Sequence, residues 1–208
     1  MHTRTRRTWL TALFAALALA VTACGDNGEQ TTTDEAPTDE APSDEEADYN
    51  DADIMFLQGM IPHHEQAVEM AEWVPDRTDR PELLSFAEEI IATQQAEIDQ
   101  MQTMLDDAGA AGSSDDHEGH GEEDDHDMAG MMTEEQMSEL EGLEGVAFDV
   151  LFLDMMIEHH QGAVDSAESV IEEGQNPEVR ALAQEIITAQ QAEIDQMSEW
   201  REQWGAAS

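Results

Sequence analysis

Apolar residues recur at three- and four-residue spacing in four long stretches of this chain. In the first, Phe56, Met60, His63, Ala67 and Met70 follow one another at that spacing, with Leu57, Ile61, His64, Val68 and Ala71 beside them. This is one broad apolar face of a helix. The run fades from Pro75 to Asp79, and Pro81 stands where the first turn of a following helix accepts proline. Leu83, Ala87, Ile90, Gln94, Ile98, Met101 and Leu105 carry the periodicity onward. A third stretch contains Val150, Leu153, Ile157, His160, Val164 and Ala167; after a break at Gly174 to Asn176, Pro177 precedes a fourth from about Glu178 to Trp204. No alternating run of β-branched residues predicts a strand.

The second pair of stretches repeats the first. Asp53 to Met101 aligns with Asp149 to Met197 at a constant offset of 96 residues without a gap, and 26 of the 49 positions are identical. FLQGMIPHHEQAVEMAE from Phe56 to Glu72 answers FLDMMIEHHQGAVDSAE from Phe152 to Glu168, and EIIATQQAEIDQM from Glu89 to Met101 answers EIITAQQAEIDQM from Glu185 to Met197. One hairpin has too little core to stand alone, whereas two can cover each other. The expected fold is all-α: an antiparallel bundle of four helices of about 20 to 28 residues, made from two repeated hairpins at 52–106 and 145–204 related by an approximate two-fold axis. Pro62 removes a backbone donor inside the first helix, so the helix is expected to kink or restart there. Its counterpart, Glu158, imposes no such break.

Before the folded region come two other segments. Arg4, Arg6 and Arg7 precede an apolar run from Trp9 to Val21, too short to span a bilayer comfortably, and small residues lead to Cys24. Residues 1–23 therefore read as a signal segment resembling that of a bacterial lipoprotein, with Cys24 as the lipidated first residue of an extracytoplasmic protein held at the outer face of the cell membrane. Residues 24–51 are Thr, Glu, Asp, Pro, Ala and Ser with almost nothing apolar, an acidic disordered tether. The bundle domain is expected at 52–204, with an acidic connection at 107–132.

The charge narrows the partners. Fifty acidic residues face seven arginines and no lysine, a formal net charge of −43, and the three arginines of the signal leave with it. Such a surface repels nucleic acid and concentrates cations. It also leaves open a basic protein partner or a homodimer. Cys24 is the only cysteine, so no intrachain disulfide and no thiol ligand is available to the domain.

Candidate chemistry centres on His63-His64 and its copy His159-His160. Adjacent helical residues point about 100° apart, so one ring of each pair can enter the bundle while the other faces a neighbouring helix. Met60 and Met156 stand three residues before His63 and His159, and the second helix of each hairpin offers Glu97 and Met101, or Glu193 and Met197. Imidazole and thioether suit copper, with zinc or no metal left open. The competing reading is a buried polar layer in a structural or interaction module. The connection adds His117, His120 and His126 among acidic residues, followed by Met128, Met131 and Met132, a tract suited to loose, auxiliary metal capture. Binding through histidines is expected to weaken below about pH 6. An enzyme is not expected: the residues three before the four histidines are Met60, Ile61, Met156 and Ile157, so the Glu-x-x-His pairs of di-iron bundles are absent, as are a Gly-rich phosphate loop and a nucleophile elbow.

The phrases MIPHHEQAVEMA and MIEHHQGAVDSA, each followed by QQAEIDQM, resemble the bacterial domain of unknown function 305 family over about Asp51 to Trp204. The resemblance implies a ferritin-like helical bundle, export from the cytoplasm and, by likeness to a relative described as a periplasmic copper-binding protein, copper handling. It carries the family's histidine pairs onto His63, His64, His159 and His160, with Met60 and Met156 adjoining. Glu65-Gln66 stand where the second copy has Gln161-Gly162, so the helix approach near the first pair is expected to differ.

Overall fold

The computed structural model describes residues 48–110 and 128–205. The signal segment, Cys24, most of the tether and the loop histidines His117, His120 and His126 lie outside the described residues. Where the apolar periodicity begins, the backbone is capped. The Asn50 side chain accepts from the Asp53 amide at 2.9 Å while the Asp53 carboxylate accepts from the Asn50 amide at 2.9 Å, a reciprocal box that opens α1 (Asp51–Arg77). Pro81 begins α2 (Pro81–Asp107), and Pro177 begins α5 (Pro177–Gly205), which follows α4 (Gly145–Glu173). Between the hairpins stands a short helix, α3 (Glu134–Glu141), capped by Thr133 and Gln136.

Two expectations change here. Of the kink or restart expected at Pro62, the restart does not occur: α1 continues through Pro62 and ends at Arg77, within the stretch from Pro75 to Asp79 where the periodicity fades. Pro62 is exposed, while the residues of α1 that carry the apolar periodicity from Phe56 to Val74 are buried. The second change is α3, which its eight residues made too short for the periodicity to separate from the connection. Its Leu140 is buried and Met137 packs on the core.

α1 packs on α2 and α4 on α5, and the two hairpins meet along α1 and α4. Phe86 of α2 meets Trp200 of α5 edge to face, with ring centroids 5.2 Å apart. The corners are exchanged between the halves. Buried Asp53, at the start of the first hairpin, accepts from the Gln175 and Asn176 amides at 3.1 and 3.0 Å in the turn of the second. Its repeat partner Asp149 accepts from Arg80 Nε at 2.8 Å in the turn of the first, and the Arg80 guanidinium also lies 4.1 Å from the centroid of Trp204. Each hairpin thus opens against the other's turn.

The core divides into two apolar clusters along the bundle. One contains Val74, Leu83, Phe86, Ile90, Phe148, Phe152 and Leu153; the other contains Phe56, Leu57, Ile98, Leu105, Val170, Leu182 and Ile186. On every long helix a buried polar residue or pair stands between these groups.

A buried histidine layer between the hairpins

The interruption falls at His63 and His64 on α1, Gln94 on α2, His159 and His160 on α4, and Gln190 on α5, all buried. The 100° divergence of adjacent residues assigns the two members of each pair different surroundings. His63 and His159 meet across the α1–α4 seam, ring centroids 3.7 Å apart and planes inclined by 36°. His64 turns to α2, where its Nε2 lies 2.7 Å from Glu97 Oε2, and His160 turns to α5, where its Nε2 lies 2.7 Å from Glu193 Oε2. Within each pair the rings stand 6.4 and 6.3 Å apart.

These bonds assign protons. A carboxylate or carbonyl oxygen accepts, so the imidazole nitrogen facing it carries the hydrogen. His64 and His160 donate through Nε2 to Glu97 and Glu193, and His63 donates through Nε2 to the Ala129 carbonyl at 3.3 Å. In all three the Nδ1 atom is buried and has no hydrogen-bond partner, nor do the amide atoms of Gln94 and Gln190; His159 has only a weak interaction with the His63 backbone. Burial of so much unpaired polar surface is costly unless a ligand or solvent satisfies it. Burial, reinforced by the nearby His64, lowers the His63 pKa to about 3. Burial, with His63 and His160 adding to it, holds His159 well below its usual value. Both inner imidazoles are therefore neutral at physiological pH, the form that donates a lone pair to a metal.

The thioethers flank the layer by hairpin. Met60 and Met101 lie in one apolar cluster, and Met156 and Met197 lie in the other, all four without exposed surface. Glu97 and Glu193, expected to face the histidines from the second helices, hold His64 and His160 in place. No group of three His, Cys, Asp or Glu side chains forms a ready metal cage among the described residues. The divergence of adjacent histidines and the packing of His63 against His159 account for this.

The methionines of the connection are not all in a solvated tract. Met132 is 5 % exposed and packs in the core beside Leu140, and Met128 lies over Gly59. Met131 is half-buried. Gln66, Ala129, Gly130 and Gly162 also build the site, and the first and last were visible in the sequence only as a mismatch between the repeats. Gln66 clasps the Met132 backbone with two hydrogen bonds, at 2.8 and 2.7 Å. Its counterpart Gly162 has no room for a side chain, because a Cβ there would collide with the Ala129 carbonyl.

A family model described as Domain of unknown function (DUF305) matches residues 53–201. The chain is similar to the crystal structure of a DUF305 protein from Streptomyces coelicolor, with 31 % identity, 74 % of this chain and 94 % of that one covered, and a TM-score of 0.63. It is also similar to CopM in its Cu(II)-bound form, at 34 % identity over 73 % of this chain and 97 % of that one, with a TM-score of 0.59. CopM in a Cu(I)-bound form matches at 31 % identity, 73 % and 96 % coverage and a TM-score of 0.60. An uncharacterized protein of Acanthamoeba polyphaga mimivirus is 44 % identical over 55 residues, which are 26 % of this chain; the match spans 36 % of the viral protein.

Proposed function

We propose, from the premise that this chain belongs to the DUF305 family, that it is an extracytoplasmic copper-binding protein, anchored through Cys24, that holds the ion in its histidine layer. The observation that carries this reading is the orientation of the imidazoles. Histidines that ligate metals almost always donate their second ring nitrogen to a carboxylate or carbonyl, which fixes the tautomer and aims the other nitrogen at the ion. Three of the four buried histidines are held in this way, with Nδ1 left unpaired. Thioethers from Met60 and Met101, and from Met156 and Met197, flank the layer and suit the reduced ion, as imidazole suits both copper oxidation states. The similarity to CopM, solved with Cu(II) and with Cu(I), supports copper as the metal. Since the adjacent rings diverge, coordination requires His63 and His159 to part from their packed arrangement. Binding and buffering, with no chemical turnover, is the role that follows.

A non-metal reading draws on the same packing: His63 and His159, with ring centroids 3.7 Å apart, are also a compact polar layer that sets the register of two hairpins. Titration of the metal-free protein with Cu(I), Cu(II) and Zn(II), beside a variant with all four histidines changed to alanine, decides between them. Tight copper binding in the parent, lost in a variant that keeps its helical circular dichroism, is expected. Equal binding by parent and variant removes the histidine layer as the site; selective binding by neither leaves the structural layer as the better account.

A further inference from the structure

His63 and His159 are enclosed on the α1–α4 seam by residues 128–132, which lie across both helices at the level of the rings. The segment is fitted to that place at five points. Met128 covers Gly59, one turn before His63. The Ala129 carbonyl receives His63 Nε2 at 3.3 Å. Gly130 adopts φ +86°, and a Cβ there would stand 2.6 Å from the Glu158 carbonyl and 3.0 Å from that of His159. The absence of a side chain at Gly162 lets the Ala129 carbonyl settle on α4. Met132 is held on both sides of its backbone by Gln66 and is buried in the core.

These attachments are unequal. Two short bonds and a buried side chain make the Met132 end firm, whereas the Ala129 end rests on one long bond and a close fit. The outer histidines face Glu97 and Glu193, whose side chains are 13 % and 20 % exposed and so connect them toward solvent. The inner pair has the segment above it.

We propose that residues 128–132 are a strap that gates the inner histidines: hinged at Met132 and latched at Ala129, it lifts from the seam to admit an ion to His63 and His159. This rests on the metal-binding reading above and adds the route to the site. Two substitutions disturb the strap without touching a candidate ligand. Gly162→Ala places a methyl group where the latch sits, and Gln66→Ala removes both bonds at the hinge.

The test uses the full chain, metal-free, in two measurements. Carbethoxylation by diethyl pyrocarbonate, mapped by peptide mass spectrometry, reports access to the inner rings without any metal; stopped-flow capture of Cu(I) reports the rate of loading. In the parent, His63 and His159 are expected to resist the reagent. In both variants they become labelled, and capture and release of Cu(I) quicken together by about tenfold, the size expected when one or two neutral hydrogen bonds no longer hold the closed state. Equilibrium affinity changes little in Gln66→Ala, where the Ala129 carbonyl still orients His63 whenever the strap is closed, and falls in Gly162→Ala, where that carbonyl is displaced. Inner rings labelled as fast in the parent as in the variants overturn the gate, as do capture rates that stay unchanged once the rings become accessible. A parent that binds no Cu(I) overturns the proposed function and leaves the strap no cargo to admit.

Discussion

Glu97 and Glu193 hold His64 and His160 at 2.7 Å, and their exchange for glutamine is the most conservative change that disturbs the layer. A glutamine amide can present either a donor or an acceptor to Nε2, so the tautomer is no longer fixed and Nδ1 is no longer assured a lone pair. Each substitution is expected to weaken Cu(I) binding by about 10- to 100-fold, the usual cost of losing an orienting partner, as measured by competition with a chromogenic chelator. The inner pair makes a different prediction for the metal-free protein. Its folded-state pKa values are depressed, to about 3 for His63 and well below the usual value for His159. Above pH 6.5 these rings are neutral whether the chain is folded or not; below it the unfolded chain takes up protons that the folded chain refuses, for His63 until the pH nears 3. Stability therefore falls as the pH is lowered through that window, by about 1.4 kcal/mol per pH unit for each ring in its steep part. Urea denaturation at pH 7 and pH 5, in the parent and in His63→Gln, checks this: the variant is expected to lose part of the slope. In the proposed copper site, the same depression would carry the acid limit of binding by the inner rings below the pH 6 suggested by the sequence.

At the scale of elements, the exchanged corners carry unequal loads. Asp53 accepts from the backbone amides of Asn50, Gln175 and Asn176, which have no side-chain freedom to find another partner. Asp149 accepts from Arg80, whose side chain is 29 % exposed and can turn to solvent. Asp53→Ala is therefore expected to cost about 2–4 kcal/mol and Asp149→Ala about half of that, by loss of charge-assisted hydrogen bonds; chemical denaturation of both variants measures the difference. The long helices were legible in the sequence because a buried face repeats every three to four residues over many turns. α3 was not, since eight residues carry too few repeats, although its Thr133–Gln136 capping box is a local signal. The divergence of the adjacent histidines followed from helix geometry alone. Their partners did not: the pairing of His63 with His159, and the bond to Ala129, depend on how the seam closes. Gln66 and Gly162 stood in plain view as an unmatched pair, but only the path of residues 128–132 gives the mismatch a cause.

For the whole molecule, the formal charge of −43 opposes compaction. Salt screens that repulsion over a Debye length of about 10 Å at 0.1 M. Raising sodium chloride from about 10 to about 200 mM, which shortens the Debye length from about 30 Å to below about 10 Å, is expected to raise the melting temperature of the metal-free protein. A melting temperature that falls or stays level would show that self-repulsion is not a main destabilising force. The exchanged corners bear on assembly as well. A hairpin whose opening turn is completed by its sister resembles one partner of a symmetric dimer, and as separate molecules such halves would depend on abundance to find each other. Carried on one chain, they meet at an effective concentration set by their covalent linkage and independent of abundance. Folding of this protein is thereby freed from its own dilution.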